Sequence, residues 1–417
     1  MSKNHMMDPQ RRRLLGHALA SATLAATGGL SLTRVAFAAP CATDARFVLV
    51  ILRGALDGLA AVPPVGDPDY ARLRGALAMD APGRGAGALP LDGTFALHPS
   101  LAFLHECWKE KSLCAVHAVA TPYRERSHFD AQDVLESGMT RPHATTSGWL
   151  NRALAVMPPG CATGNKGIAL GANIPLVMRG PVEVASWSPS RLPQLDADTL
   201  QRLADLYAGD PILSVRLADA RAAGEMSEGG MAEEGTAPGK GNGGRSGVDM
   251  ETASSAARFL AQPEGPRIAV FDTTGWDTHA NQGAGEGLLA LRLATLDRSL
   301  QALRENLGET WRHTVVLVAT EFGRTVAVNG TRGTDHGTGA AALLLGGAVA
   351  GGRVAGTWPG LSAGALYQGR DLAATTDLRA VIKGLLGEHL GISPEHLENQ
   401  VFPDSRNSGV LKGLIRS

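Results

Sequence analysis

The sequence predicts an α/β protein, a mostly parallel, doubly wound sheet flanked by helices. Three observations predict it. Four runs, at residues 47–52, 113–119, 268–271 and 314–319, are continuously apolar and rich in β-branched residues, the pattern of strands covered on both faces. Between the third and fourth, Leu289, Leu293, Leu296, Leu300, Leu303 and Leu307 recur at three- and four-residue steps, one face of a long amphipathic helix. Each run then ends in glycine, acidic, hydroxyl or imidazole residues, as do the turns that leave the carboxyl ends of strands in open α/β sheets.

Taken in order, residues 1–38 read as an export signal. Arg11-Arg12-Arg13-Leu14-Leu15 opens an Ala-, Gly- and Leu-rich stretch that ends at Ala36-Phe37-Ala38, a small-x-small cleavage signal. Adjacent arginines followed by leucines resemble a twin-arginine signal, so a periplasmic or secreted location is expected. The segment is too interrupted by Gly and Thr for a membrane anchor. Residues 39–417 are then expected to form one α/β domain. Its first run ends at Arg53-Gly54-Ala55-Leu56-Asp57-Gly58. The second passes through Thr121-Pro122 to Ser127-His128-Phe129-Asp130 and a helical pattern. The third ends in Gly275-Trp276-Asp277-Thr278-His279, and the fourth in Glu321-Phe322-Gly323-Arg324. Strand, helix and strand across residues 268–319 imply a right-handed parallel crossover, with Gly308 at the helix C-cap. Residues 223–249 are rich in Gly, Glu, Lys and Ser and predict a flexible insertion. Thr376 is a plausible N-cap for a terminal helix.

Composition excludes some functions. Removing five basic residues and one acid with the signal leaves 34 Lys and Arg against 39 Asp and Glu, a net charge of −5. That surface gives no support for nucleic-acid binding. Four cysteines do not make a disulfide scaffold; Cys107 and Cys114 either pair or are buried thiols.

The strand ends carry the candidate chemistry: Asp57; Ser127 with His128 and Asp130; Asp277 with His279; and Glu321, followed by Asp335-His336 between glycines. Carboxylates and imidazoles from separate segments are what a divalent metal requires. Each also has a local explanation. Turn aspartates bond nearby backbone, Ser127 with Asp130 matches a capping box, and Glu321 is placed to pair with Arg324. Four strand ends carrying ligand-type residues are harder to explain by capping at every one.

These segments, together with Leu97-His98-Pro99-Ser100-Leu101 and Thr375-Thr376-Asp377-Leu378-Arg379, resemble domain-of-unknown-function family 1501, a branch beside the alkaline phosphatases and sulfatases. The resemblance implies an alkaline phosphatase-like fold and a site for one or two divalent ions, zinc, manganese or calcium. By position, Asp57 resembles an early ligand of one metal and Ser127 the nucleophile. Asp277 and His279 resemble ligands of the other. Two alignments of the last segment are open. In one, Asp335-His336-Gly337 is the late Asp-His-Gly motif; in the other, Glu321 holds that strand-end position and His336 is the distant histidine. The second puts Phe322 where a ligand histidine belongs.

The expected function is exported, metal-dependent hydrolysis of phosphate or sulfate esters, with Ser127 as nucleophile and Arg53 or Arg324 clamping the anion. Asp57, Asp277, His279, Glu321, Asp335 and His336 are the expected metal ligands. The partner is then a small anionic ester. The alternative is a binding or assembly protein of the cell envelope that keeps the scaffold and has lost catalysis.

Overall fold

A computed structural model describes residues 44–83, 87–158, 166–189 and 243–416, with single positions between 203 and 217. The expected export signal and residues 223–242 of the expected insertion lie outside the described residues.

The four apolar runs become four strands of a nine-stranded sheet, three of them adjacent at its centre. β1 (Arg46–Arg53) lies between β7 (Ile268–Thr274) and β8 (Thr314–Thr320), parallel to both. Beyond β7 come β5 (Gly167–Leu170) and the edge strand β6 (Ala185–Trp187), also parallel. Beyond β8 lies β9 (Ala340–Leu345), antiparallel to β8 and to β4 (Leu113–Ala120). Short strands β10 (Arg353–Ala355) and β11 (Thr376–Asp377) pair in parallel with β4. A separate two-stranded ladder joins β2 (Leu89–Pro90) to β3 (Ala96–Leu97). The mostly parallel α/β class is the one the sequence predicted.

Both faces of the sheet are covered, and alternation along β1 shows it. Val48, Val50 and Leu52 enter one core cluster, Phe47, Leu49 and Ile51 the other, as the two-residue period of a strand demands. The first face is closed by α3 (Ala102–Lys109), α6 (Gly243–Ala261) and α7 (Leu288–Leu307). The second is closed by α5 (Trp149–Val156) and α8 (Leu378–Leu390). The six leucines that predicted α7 are all buried, and Gly308 caps it at φ 53°.

Two local expectations are corrected, and one left open is decided. Residues 243–249 belong to α6 rather than to a flexible insertion. Asp377, not Thr376, caps α8, its side chain accepting from Arg379 N. Cys107 and Cys114 are free, buried thiols. The antiparallel β9 was not foreseen, and it matters. Chain entering a strand antiparallel to β8 starts at the edge where β8 ends, so the residues just before Ala340 stand over the carboxyl ends of β1, β7 and β8.

Candidate metal centre

At that edge four side chains meet. His128 opens α4 (His128–Ser137); Asp277 and His279 follow β7; His336 precedes β9. The Nε2 of His336 lies 2.9 Å from Nε2 of His128 and 2.9 Å from Nε2 of His279. The Asp277 carboxylate closes the group, 3.0 Å from His279, 3.3 Å from His336 and 3.5 Å from His128. His128, Asp277 and His336 each offer a ligand atom within 4.8 Å of the others. Ligands about 2.0–2.1 Å from a tetrahedral zinc stand about 3.3 Å apart, so these spacings suit a small divalent ion after slight ring movement.

Each imidazole is oriented from behind. His128 Nδ1 donates to Glu321 Oε1 at 2.8 Å, and His336 Nδ1 donates to the Arg126 carbonyl at 3.0 Å. His279 Nδ1 lies 3.3 Å from Asp335 Oδ1. With the proton committed to Nδ1, a neutral ring turns the Nε2 lone pair inward. Nitrogen lone pairs 2.9 Å apart repel, and only a cation or an extra proton between them relieves this. Carboxylate or carbonyl support behind a ligating histidine is the usual outer shell of a metal site.

The electrostatics agree with that division of roles. The hydrogen bond to Glu321 raises the pKa of His128 above the ordinary histidine value, against the opposing effect of burial. Burial and the charge of His128 lower that of His336. Burial would raise the Asp277 carboxyl, but Arg324 and the imidazoles outweigh it and hold the acid below its usual range. Glu321 is likewise lowered, because hydrogen bonds from His128, the Gly54 amide and Gln132 overcome complete burial.

The local backbone is bent to serve this arrangement. Gly54 has φ 119°, and a Cβ there would stand 2.7 Å from the Asp277 amide nitrogen. Only glycine lets the turn after β1 lie against the turn after β7 while its N–H reaches Glu321 at 2.8 Å. Arg126 has φ 61°, a conformation that costs a non-glycine residue about 1 kcal/mol. Its guanidinium is tied to buried Asp371 and to Gln368, and the strained carbonyl points at His336.

The structure therefore brings Asp277, His279 and His336 together and adds His128, which was named among the strand-end groups but not among the expected ligands. Phe322 occupies no ligand position: it is buried and lies against both rings, 4.9 Å from His128 and 5.1 Å from His336. Five other expected roles are reassigned. Asp57 is 1% exposed and caps α1 (Gly58–Ala61) by accepting from Leu59 and Ala60 amides. Its other oxygen takes Arg74 and Gln282, leaving no lone pair turned to the cluster. Glu321 and Asp335 meet the Nδ1 atoms of His128 and His279. Arg324 is 1% exposed and holds Asp277 at 2.6 Å, with its remaining bonds to Thr334, so its guanidinium is already committed. Arg53 pairs with Asp272 and Glu136. Among the described residues no second group of three ligands assembles.

Ser127 precedes α4 without capping it; Asp130 instead accepts from Tyr123 at 3.1 Å. The partly exposed hydroxyl sits between two residues that touch the cluster, Arg126 through its carbonyl and His128 through its ring.

A family model described as a protein of unknown function (DUF1501) matches residues 98–401. No curated protein matches the sequence. Among solved structures, the phosphonate monoester hydrolase of Agrobacterium radiobacter is 13% identical over 84% of this chain and 74% of its own, at a TM-score of 0.36. A sulfatase from Pseudoalteromonas sp. is 13% identical over 84% and 68%, at 0.32. The zinc-complexed C-terminal periplasmic domain of an Escherichia coli protein is 10% identical over 74% and 76%, at 0.30. At these scores the likeness carries nothing about chemistry.

Proposed function

The chain belongs to the DUF1501 family, to which no function is assigned, and we propose from its own site that it is a metal-dependent hydrolase of phosphate or sulfate esters. The observation that carries this reading is the convergence of three Nε2 atoms, each ring tied at Nδ1 to an acceptor, on one carboxylate. His128, His336 and Asp277 would hold the ion, with His279 beside them. An imidazole-rich set favours zinc or manganese over calcium, which prefers oxygen. A bound divalent ion supplies Lewis acidity toward an ester oxygen.

The chain's own groups account for the rest. Glu321, Asp335 and the Arg126 carbonyl keep the three rings aimed, and Arg324 keeps Asp277 ionised. Ser127 is the nucleophile in this reading. Its oxygen displaces the alcohol from phosphorus or sulfur, the departing oxygen takes up a proton, and water then cleaves the serine ester. Export by the twin-arginine route belongs to the same proposal and rests on Arg11-Arg12-Arg13 followed by Leu14-Leu15.

One observation favours the rival reading of a scaffold without catalysis: Asp57, the residue expected to activate Ser127 through a metal, is spent on Arg74 and Gln282. Metal analysis and turnover together decide. Protein purified without chelators should hold about one equivalent of zinc or manganese and cleave an aryl phosphate or aryl sulfate. Ser127→Ala should abolish turnover and keep the metal, whereas His336→Ala should lose both. A metal-free protein would show that a shared proton, not an ion, joins the rings. A metal-loaded protein inert toward every ester would leave the binding role.

A further inference from the structure

Beside the cluster lies a cavity of about 510 Å³ that the hydrolytic reading does not use. It opens between α4 and the carboxyl ends of β1, β5 and β7, and its size falls within the range of small-molecule sites. Its floor is apolar: Ile51, Leu170, Val270 and Phe271 are all buried. At its rim stands Phe129, the residue after His128, with 86% of its surface in water. That ring is open to stack on a flat ligand seated in the cavity.

The polar groups of the cavity are mostly committed. Arg53 is held by Asp272 and Glu136, and Asp133 faces His143. Two groups are not. Arg179 uses Nε on the Ile174 carbonyl at 2.8 Å, and no carboxylate pairs with it among the described residues. The Asn173 amide likewise has no side-chain partner among them. One guanidinium without a carboxylate partner among the described residues and one amide, over an apolar floor, fit a flat ring with a single anionic substituent. They do not fit a polyol, whose many hydroxyls would go unpaired at a cost for each.

The cavity is also wired to the cluster. Arg53 Nη1 donates to Gln132 at 3.1 Å, Gln132 donates to Glu321 at 3.2 Å, and Glu321 accepts from His128 at 2.8 Å. The first turn of α4 is thus shared: His128 faces the cluster, while Phe129 and Gln132 line the cavity.

Resting on the hydrolytic reading, we infer that this cavity holds the alcohol part of the ester, and that this part is a phenol bearing a carboxylate, stacked on Phe129 and paired with Arg179. The probe is 4-hydroxybenzoate, titrated into the purified protein and followed by NMR, because it tests the cavity without requiring turnover. Saturable binding is expected at about millimolar concentration. Arg179→Gln should weaken it about tenfold, and phenol, lacking the carboxylate, should bind wild type about as weakly as 4-hydroxybenzoate binds that variant. Phe129→Ala, a change at an exposed side chain that leaves folding alone, should weaken both ligands. Absence of saturable binding, equal affinity for phenol and 4-hydroxybenzoate, or tighter binding of glucose would overturn the inference. If 4-carboxyphenyl phosphate binds in competition with 4-hydroxybenzoate but is not hydrolysed, the hydrolase reading falls and the cavity assignment stands.

Discussion

His117 shows how one side chain sets a pH limit. It is 2% exposed in β4, stacked on Phe95 at 5.2 Å between ring centres, with Trp358 edge-on at 4.8 Å. Nε2 donates to the Val62 carbonyl at 3.0 Å, and Nδ1 accepts from the Ala118 amide at 2.9 Å. A second proton has no place on this ring, and burial lowers its pKa to about 4. The folded pKa lies below the unfolded value of 6.5, so the unfolded chain binds the proton first. Stability from the neutral ring is complete above pH 6.5 and is lost as pH falls toward 4, by about 1.4 kcal/mol per unit and about 3 kcal/mol in all. Urea denaturation of wild type and His117→Asn at pH 4.5, 5.5 and 7 should show the slope shrinking in the variant. Parallel slopes would contradict this account. Glu321 offers a second residue-scale test. Glu321→Gln keeps the shape but puts an amide against donors from Gly54 and His128. Loss of such a supporting carboxylate should weaken metal binding 10–100-fold, measured by competition with a chelator.

At the scale of elements, the site is made where three turns press together. The turn after β1 lies under the turn after β7, and Gly54 allows the contact. Gly54→Ala would place a methyl group 2.7 Å from the Asp277 amide nitrogen and force φ 119° on a residue with a side chain. A loss of about 2–4 kcal/mol is expected, with metal affinity falling alongside, since Asp277 must move. A thermal melt paired with metal titration checks both; a variant that lost stability and kept full metal affinity would show that the turn supports the fold alone. The loop before β9 works in the same way. Gly333 passes so close to the His279 carbonyl that a Cβ there would stand 2.3 Å from it, which packs the loop carrying Asp335 and His336 onto the β7 turn.

For the whole molecule, an ion in the cluster would join α4, the β7 turn and the β9 approach, three segments far apart in sequence. Binding to the folded state alone stabilises by about 2.7 kcal/mol at a hundredfold excess over Kd. Removing metal with EDTA should therefore lower the melting temperature by several degrees, and zinc or manganese should restore it. His336→Ala should melt at the same temperature with or without EDTA. Among the described residues no helix is long and apolar enough to cross a membrane, and the fold's stability rests on the two-faced core around β1.

The central strands, α7 and the mostly parallel class were legible because burial on both faces writes itself into consecutive residues, and helical packing into a three-and-four spacing. Asp277, His279 and His336 were legible as ligand types at strand ends. His128 was named among the strand-end groups but given no ligand role, since a histidine in the first turn of a helix looks the same whether it caps, packs or binds. Asp57 and Arg324 misled for the converse reason: a buried carboxylate or guanidinium at a strand end satisfies the same local pattern whether it faces an ion or a counter-charge. By itself, then, the sequence determined the class of fold and the edge at which polar groups gather, because those follow from periodicity and local turns, and its motifs carried the family resemblance. Only the tertiary structure decided which groups share a point in space. Antiparallel β9, unforeseen from its alanine-rich run, returns His336 to the edge, and long-range partners decide which lone pairs are already taken.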